Sequence, residues 1–169
     1  MEIQKLNSDF YQIFQREIVL VEEDSNVNYQ LKVRLKSTSK RGIYIDLPKF
    51  KSAAKYLQSN TAIANPPKDC DAIIIDLDSK IIYLIEMKRT SGAATNKHIN
   101  QQLSAGSCWW KHMSFCMDNS ITYTEKRIAV MVEERRSRVR MKKGEDLQLV
   151  AEYGFYKRIG NFLSLEYID

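Results

Sequence analysis

Asp71, Glu86 and Lys88 bracket the stretch "CDAIIIDLDSKIIYLIEMK", residues 70–88, whose interior is two apolar runs. Residues of these types can hold a hard divalent cation and act on a phosphate ester. Carboxylate oxygens coordinate Mg²⁺ at about 2.0–2.1 Å, and such a cation keeps several waters whose places substrate oxygens can take. An ammonium beside it can orient a water or stabilise the charge that develops as a bond breaks. Phosphodiester hydrolysis is slow because the phosphate is already negative and water is a weak nucleophile. This set of groups addresses both obstacles.

The spacing strengthens the reading. If Asp78 and Ser79 form a hairpin loop, Leu77 pairs with Lys80, Ile75 with Ile82, Ile74 with Tyr83, Ile73 with Leu84 and Ala72 with Ile85. Asp71 then falls opposite Glu86. Opposed residues of an antiparallel pair share a face with Cβ atoms about 4.5–5.5 Å apart, so these like charges repel unless something neutralises them. A divalent cation does so. Lys88, two residues beyond Glu86 on a strand, points to the same face. A four-residue loop keeps this register, whereas a three-residue loop breaks it. The plainer reading is a structural hairpin with solvated acids at its ends.

Other elements must position this hairpin. The spacing predicts a first helix in "NSDFYQIFQREI", capped by Asn7 or Ser8, with Phe10, Ile13, Phe14 and Ile18 on one face. Tyr29, Leu31, Val33 and Leu35 at period two predict a strand, and "RGIYIDLP" predicts another, with the polar turn "STSKR" between them. A short helix in "KFKSAAKYLQS" ends in the loop "SNTAIANPPKD", where Pro66 and Pro67 forbid regular structure. After the loop "RTSGAA" a long helix runs from about residue 96 to 117, striped by Ile99, Leu103, Trp110, Met113 and Met117. "KRIAVMVEE" predicts a strand, and "LQLVAEYGFY" and "NFLSLEYI" predict more strand. With 169 residues this is one domain, 1–169, of α/β class.

Here the residues meet a known pattern. "CDAIIIDLDSKIIYLIEMK" resembles the D-x(n)-E-x-K signature of the PD-(D/E)XK nuclease superfamily, and "IIYLIEMKRT" is similar to the equivalent strand of archaeal Holliday-junction resolvases. The resemblance covers roughly a fifth of the chain, with Cys70 where the name-giving proline is common. It implies a restriction-endonuclease-like αβββαβ core, a mixed central sheet flanked by helices, with the signature on the central hairpin. It implies Mg²⁺ or Mn²⁺ as cofactor, held by Asp71, Glu86 and the carbonyl of Met87, with Lys88 handling water or the transition state. Many relatives add a glutamate from the first helix, for which Glu17 is the best-placed candidate and Glu22 and Glu23 are alternatives. Some place a glutamine on the helix after E-x-K; Gln102 suits, with Gln101 close behind.

Composition agrees with a nucleic-acid partner without demanding one. The net charge is +5 and the pI near 9.0, which favours polyanions. Two stretches concentrate the charge. Arg136, Arg138, Arg140 and Lys142 alternate onto one side of the basic segment 135–143, and Arg34, Lys36, Lys40 and Arg41 stand in "RLKSTSKRG". Either stretch can serve as a phosphate-contacting arm, since backbone contacts give sequence-independent affinity, or as a solvated charged loop. DNA is favoured over RNA as substrate, and a homodimer is allowed. No apolar run approaches the ~20 residues of a bilayer span, so no membrane partner is expected. The start "MEIQKLNSDF" lacks the basic and apolar regions of a signal peptide, and the expected location is cytoplasmic.

Weaker patterns resolve differently. Cys108, His112 and Cys116 lie at i, i+4 and i+8, which puts the outer two about 12 Å apart on a helix, too far for one tetrahedral zinc. They read as ordinary helix residues, and the three cysteines, with Cys70, as free thiols. Trp109 and Trp110 could stack on bases, but core packing is the simpler assignment. Three functions follow in order: a metal-dependent endonuclease, an inactive nuclease-like fold that only binds nucleic acid, and an inhibitor or other protein-interaction module.

Overall fold

The computed structural model describes residues 3–24, 27–53, 68–89, 95–117, 121–132 and 147–168. The strands along the chain are β1 (Tyr11–Gln15), β2 (Glu17–Asp24), β3 (Val27–Arg34), β4 (Arg41–Asp46) and β5 (Ala72–Asp76). They continue with β6 (Ile81–Arg89), β7 (Thr124–Val132), β8 (Gln148–Val150), β9 (Phe155–Ile159) and β10 (Phe162–Ser164). Helix α1 (Leu47–Ala53) follows β4, and α2 (Asn96–Cys116) joins β6 to β7. The architecture is α/β. A mixed seven-stranded sheet runs in the order β1-β4-β5-β6-β7-β9-β8, and a second sheet is ordered β10-β3-β2.

Every residue of β5 and most of β6 is buried. A near-continuous apolar run is what a strand covered on both faces requires. On one face Ile73, Ile75, Ile82 and Leu84 pack with Ile99, Leu103, Trp110, Met113 and Met117 of α2. On the other, Ile74, Tyr83, Ile85 and Met87 pack with Leu20, Leu31 and Val33 of the second sheet. The main sheet therefore lies between a helix and a smaller sheet. Strands β6 and β7 are parallel and need a crossover, which α2 provides. Thr95 caps α2, its Oγ1 accepting from the His98 N–H at 3.2 Å.

The hairpin register is the one its alternation demands: Ala72 pairs with Ile85, Ile73 with Leu84, Ile74 with Tyr83, Ile75 with Ile82 and Asp76 with Ile81. The turn spans four residues, 77–80. A fully buried carboxylate, Asp76, fixes it. Its Oδ1 accepts from the Asp78 and Ser79 N–H groups at 3.1 and 3.2 Å, and Ser39 Oγ donates to its Oδ2 at 2.5 Å. Local carboxylate bonds of this kind compensate for a poor turn dipeptide.

The expected first helix is absent. Asn7 caps only a 3-10 turn, Ser8–Phe10, by accepting from the Asp9 N–H. The chain then extends as β1, turns at Arg16 with φ 56°, and continues as β2. Phe14 and Ile18 are both buried, but from two different strands, while Ile13, next to Phe14, is 54% exposed. Their i, i+4 spacing reaches the core around a corner, not along a helical face. Consequently one face of the main sheet carries the β2-β3-β10 sheet where the αβββαβ order calls for its opening helix. The strands on either side of "STSKR" exist, yet β3 and β4 belong to different sheets. The long helix, the strand after it and the C-terminal strands lie where the sequence put them.

Candidate functional site

Glu86 and Lys88 alternate onto the α2 face of β6, the face that Ile82 and Leu84 line below them. Glu86 is fully buried. Lys88, whose side chain is 22% exposed, forms an ion pair with Glu86 Oε1. Asp71 precedes β5, opposite Glu86 by extension of the register. Its Oδ2 accepts from the Met87 N–H at 2.5 Å, which ties the acid to the strand position between Glu86 and Lys88. In an extended strand a residue's N–H and carbonyl point the same way, so the Met87 carbonyl is also directed to the Asp71 side.

Charge accumulates here. Burial pushes the Cys70 thiol well up from its ordinary value, and the carboxylates of Glu86, Asp71 and Asp69 push it further. Burial likewise raises the Tyr44 phenol on β4, with Asp46 and then Asp71 adding to it. Asp69 is an acid that the sequence reading passed over. Its partner is Lys51 in the last turn of α1, 2.8 Å away. The D-x-D spacing of Asp69 and Asp71 was the available signal, since alternate residues of an extended segment share a side.

Helix α2 covers the site from its N-terminal half. Ser107 Oγ donates to Glu125 at 2.6 Å and Arg127 Nη1 to Ser104 Oγ at 3.3 Å. Glu125 and Arg127 are the β7 partners of Ile82 and Leu84. Going three residues back along α2 thus goes two residues forward along β6, and one more step brings Gln101 and Gln102 level with Glu86. The two glutamines differ. Gln101 is exposed and accepts a hydrogen bond from Lys68 Nζ. Gln102 Oε1 is buried with no hydrogen-bond partner among the described residues. Gly106, one turn on, packs against Cys70 and Leu84.

Glu17 does not join this group. It lies on β2, not on a helix, and pairs with Lys32 and with Arg34, whose Nη2 is 2.5 Å away. Hydrogen bonds from Lys32 and then Arg34 hold its carboxyl below the ordinary 4.5. The register puts Glu17 beside Arg34, Gln15 beside Arg41 and Gly42 beside Asp76. Glu17 is therefore at the turn end of the sheet, about 17 Å of strand from Asp71. Glu22 and Glu23 lie farther along the same second-sheet strand, paired with Tyr29 and Asn28 respectively. Arg34, Lys36, Lys40 and Arg41 also cluster at the turn end, where the Lys40 N–H donates to Asp78 at 2.7 Å. They do not border the Asp71–Glu86–Lys88 group. Arg136, Arg138, Arg140 and Lys142 lie outside the described residues.

Cys108 and Cys116 are exposed, with His112 Nε2 3.7 Å from Cys116 Sγ. Trp110 is buried and Trp109 Nε1 donates to the Lys68 carbonyl at 3.1 Å, so both tryptophans serve packing. No group of three or more His, Cys, Asp or Glu side chains able to hold a metal occurs among the described residues. The oxygen donors gathered on this strand pair are the Asp71 and Glu86 carboxylates and the Met87 carbonyl. An all-oxygen set suits a hard cation such as Mg²⁺ or Mn²⁺ and not zinc. No protein-family model, no curated protein and no solved structure matches this chain.

Proposed function

We propose that the chain is a Mg²⁺- or Mn²⁺-dependent endonuclease acting on DNA, built on a PD-(D/E)XK-type, restriction-endonuclease-like core. The carrying observation is the 2.5 Å hydrogen bond from the Met87 N–H to Asp71, which gathers the acid to the strand that bears Glu86 and Lys88. The order β4-β5-β6, then α2, then β7 parallel to β6 supports the reading. It supplies βββαβ of the expected core, with the second sheet in place of the missing helix.

Asp71, Glu86 and the Met87 carbonyl would hold the cation. When bound it polarises a phosphate oxygen and lowers the pKa of water. Lys88 Nζ, paired with Glu86 at rest, donates toward the charge that grows on the phosphate, an interaction stronger in the transition state than in the ground state. Gln102 Oε1 accepts from a water and orients it. Glu17, at the turn end of the sheet, has no part.

The complete burial of Glu86 and its pairing with Lys88 favour a second reading, a scaffold that binds nucleic acid without cutting it. One experiment separates the two. Single-stranded, double-stranded and branched DNA, and RNA, are incubated with the protein in Mg²⁺, Mn²⁺ or EDTA, beside the Lys88→Ala variant. Metal-dependent cleavage by the wild type, lost in Lys88→Ala with affinity kept, is the expected result. Salt-dependent binding with no cleavage under any metal would establish the second reading, and neither binding nor cleavage would sink both.

A further inference from the structure

A cavity of about 610 Å³ opens at the corner where β1 passes into β2, lined in part by Arg16, Glu17, Arg34, Leu35 and Lys36. It lies at the turn end of the sheet, away from Asp71 and Glu86, so its role does not depend on the nuclease reading. Three cations and one acid line it. The acid is already engaged, because Glu17 pairs with Lys32 and Arg34. Glu166 nearby is likewise engaged by the Ser37 N–H and hydroxyl. The side chains of Arg16 and Lys36 have no hydrogen-bond or ion-pair partner among the described residues. The cavity wall therefore carries surplus positive charge.

The side chain of one of its cations and the backbone of another are held in place. Arg34 stacks on the Phe162 ring at 5.1 Å and donates to Glu17 at 2.6 Å. Arg16 has a left-handed backbone, φ 56°, pinned by a 2.8 Å hydrogen bond from the Leu35 N–H to its carbonyl. An arginine in that conformation is uncommon, and the corner would be easier for glycine. A strained backbone at a cavity wall, carrying an uncommitted guanidinium, is an outlier that points to a ligand.

We infer that this cavity binds a phosphorylated small molecule of the size and charge of a nucleoside monophosphate. Its phosphate sits between Arg16 and Lys36, with Arg34 as the third donor. Guanidinium forks match phosphate oxygens in pairs, which a lone ammonium does not. The volume is in the usual range for small-molecule sites, about 300–1,000 Å³, and exceeds what a bare anion fills.

Calorimetry on the full chain tests this with a nucleoside monophosphate, the unphosphorylated nucleoside, inorganic phosphate and a single-stranded oligonucleotide. The monophosphate should bind, the nucleoside should not, and inorganic phosphate should bind more weakly and compete. Arg16→Gly should lose at least tenfold in affinity while its melting temperature holds or rises, because glycine suits that φ. Lys36→Gln should lose a similar factor, and Lys97→Gln, exposed on α2, should lose none. Unchanged affinity in Arg16→Gly, or no binding of the monophosphate at millimolar concentration, overturns the proposal. Inorganic phosphate binding as tightly as the nucleotide would leave a bare anion site and overturn the small-molecule assignment. Binding of the oligonucleotide alone would overturn it too, by making the cavity part of a nucleic-acid surface.

Discussion

Gly106 offers a test of how α2 is seated over the site. A Cβ built there would stand 2.4 Å from Cys70 Sγ, 3.3 Å from Cys70 Cβ and 3.7 Å from Leu84 Cδ2. The first distance is more than 1 Å inside contact, and Cys70 is fully buried, so its sulfur has little room to swing. Overpacking of this kind costs about 1–3 kcal/mol. Replacing glycine by alanine in a helix interior returns about 1 kcal/mol of propensity. With so deep an overlap the upper part of the packing range applies, and Gly106→Ala should destabilise the protein by about 1–2 kcal/mol. In a Cys70→Ala background the sulfur is gone and only the 3.3 Å contact stays tight, so the same substitution should stabilise by a few tenths to about 1 kcal/mol. The sign should reverse, with a coupling of about 2 kcal/mol, large for a pair in contact. Urea titration of the four proteins at constant m-value measures it. Additive effects in the cycle, or a Gly106→Ala variant as stable as the wild type, would mean that α2 does not rest on Cys70. The residue before Asp71 would then not be held by the helix.

Three further outcomes are expected. Mg²⁺ or Mn²⁺ should raise the melting temperature, because at a hundredfold excess over Kd a ligand of the native state contributes about 2.7 kcal/mol; Asp71→Asn should lose the shift, and an equal shift in the variant removes Asp71 as a ligand. A colorimetric thiol reagent should react quickly with the exposed Cys108 and Cys116 and only on unfolding with Cys70, whose burial keeps it protonated; rapid reaction of Cys70 would contradict its packing. Glu17 has a lowered folded pKa, so its contribution to stability is present above its ordinary value of 4.5 and is lost as pH falls below it. The stability gap between wild type and Glu17→Gln should therefore be level at neutral pH and close with acid, and a gap that widened in acid would reverse the assigned direction.

The hairpin was legible because two independent signals agree there: apolar alternation and the placement of Asp71, Glu86 and Lys88 select one register, and a one-residue slip would invert both. Helix α2 was legible because Leu103, Trp110 and Met113 repeat over enough turns to exclude a strand. The N-terminal segment was not. Phe10, Ile13, Phe14 and Ile18 fit a helix by spacing, and the break at Arg16 carries no glycine or proline to announce it. Glu17 was chosen because of that helix and failed with it. The lysine and arginine cluster around "STSKR" was visible as charge, but its separation from the site depends on β4 running antiparallel to β5, a long-range pairing that no local pattern encodes. Asp76 was passed over because an acid at the end of an apolar run looks like its solvent boundary, whereas it is buried and locks the turn.

Strand β10 lies parallel to β3, Phe162 beside Lys32, which are about 130 residues apart in the chain. The chain leaves β9 in the main sheet and enters the second sheet within two residues, through Gly160 at φ 123°, a conformation glycine adopts most easily. The β3 edge of the β2-β3 hairpin is therefore closed only by a segment about 130 residues farther along the chain. Loop closure over such a span slows folding, and an apolar face left open meanwhile is exposed to mispairing. Synthesis from the N-terminus sharpens the problem, because the hairpin emerges well before its partner strand. During synthesis the β3 edge thus stays a ready template for a foreign strand until β10 has emerged and taken its place.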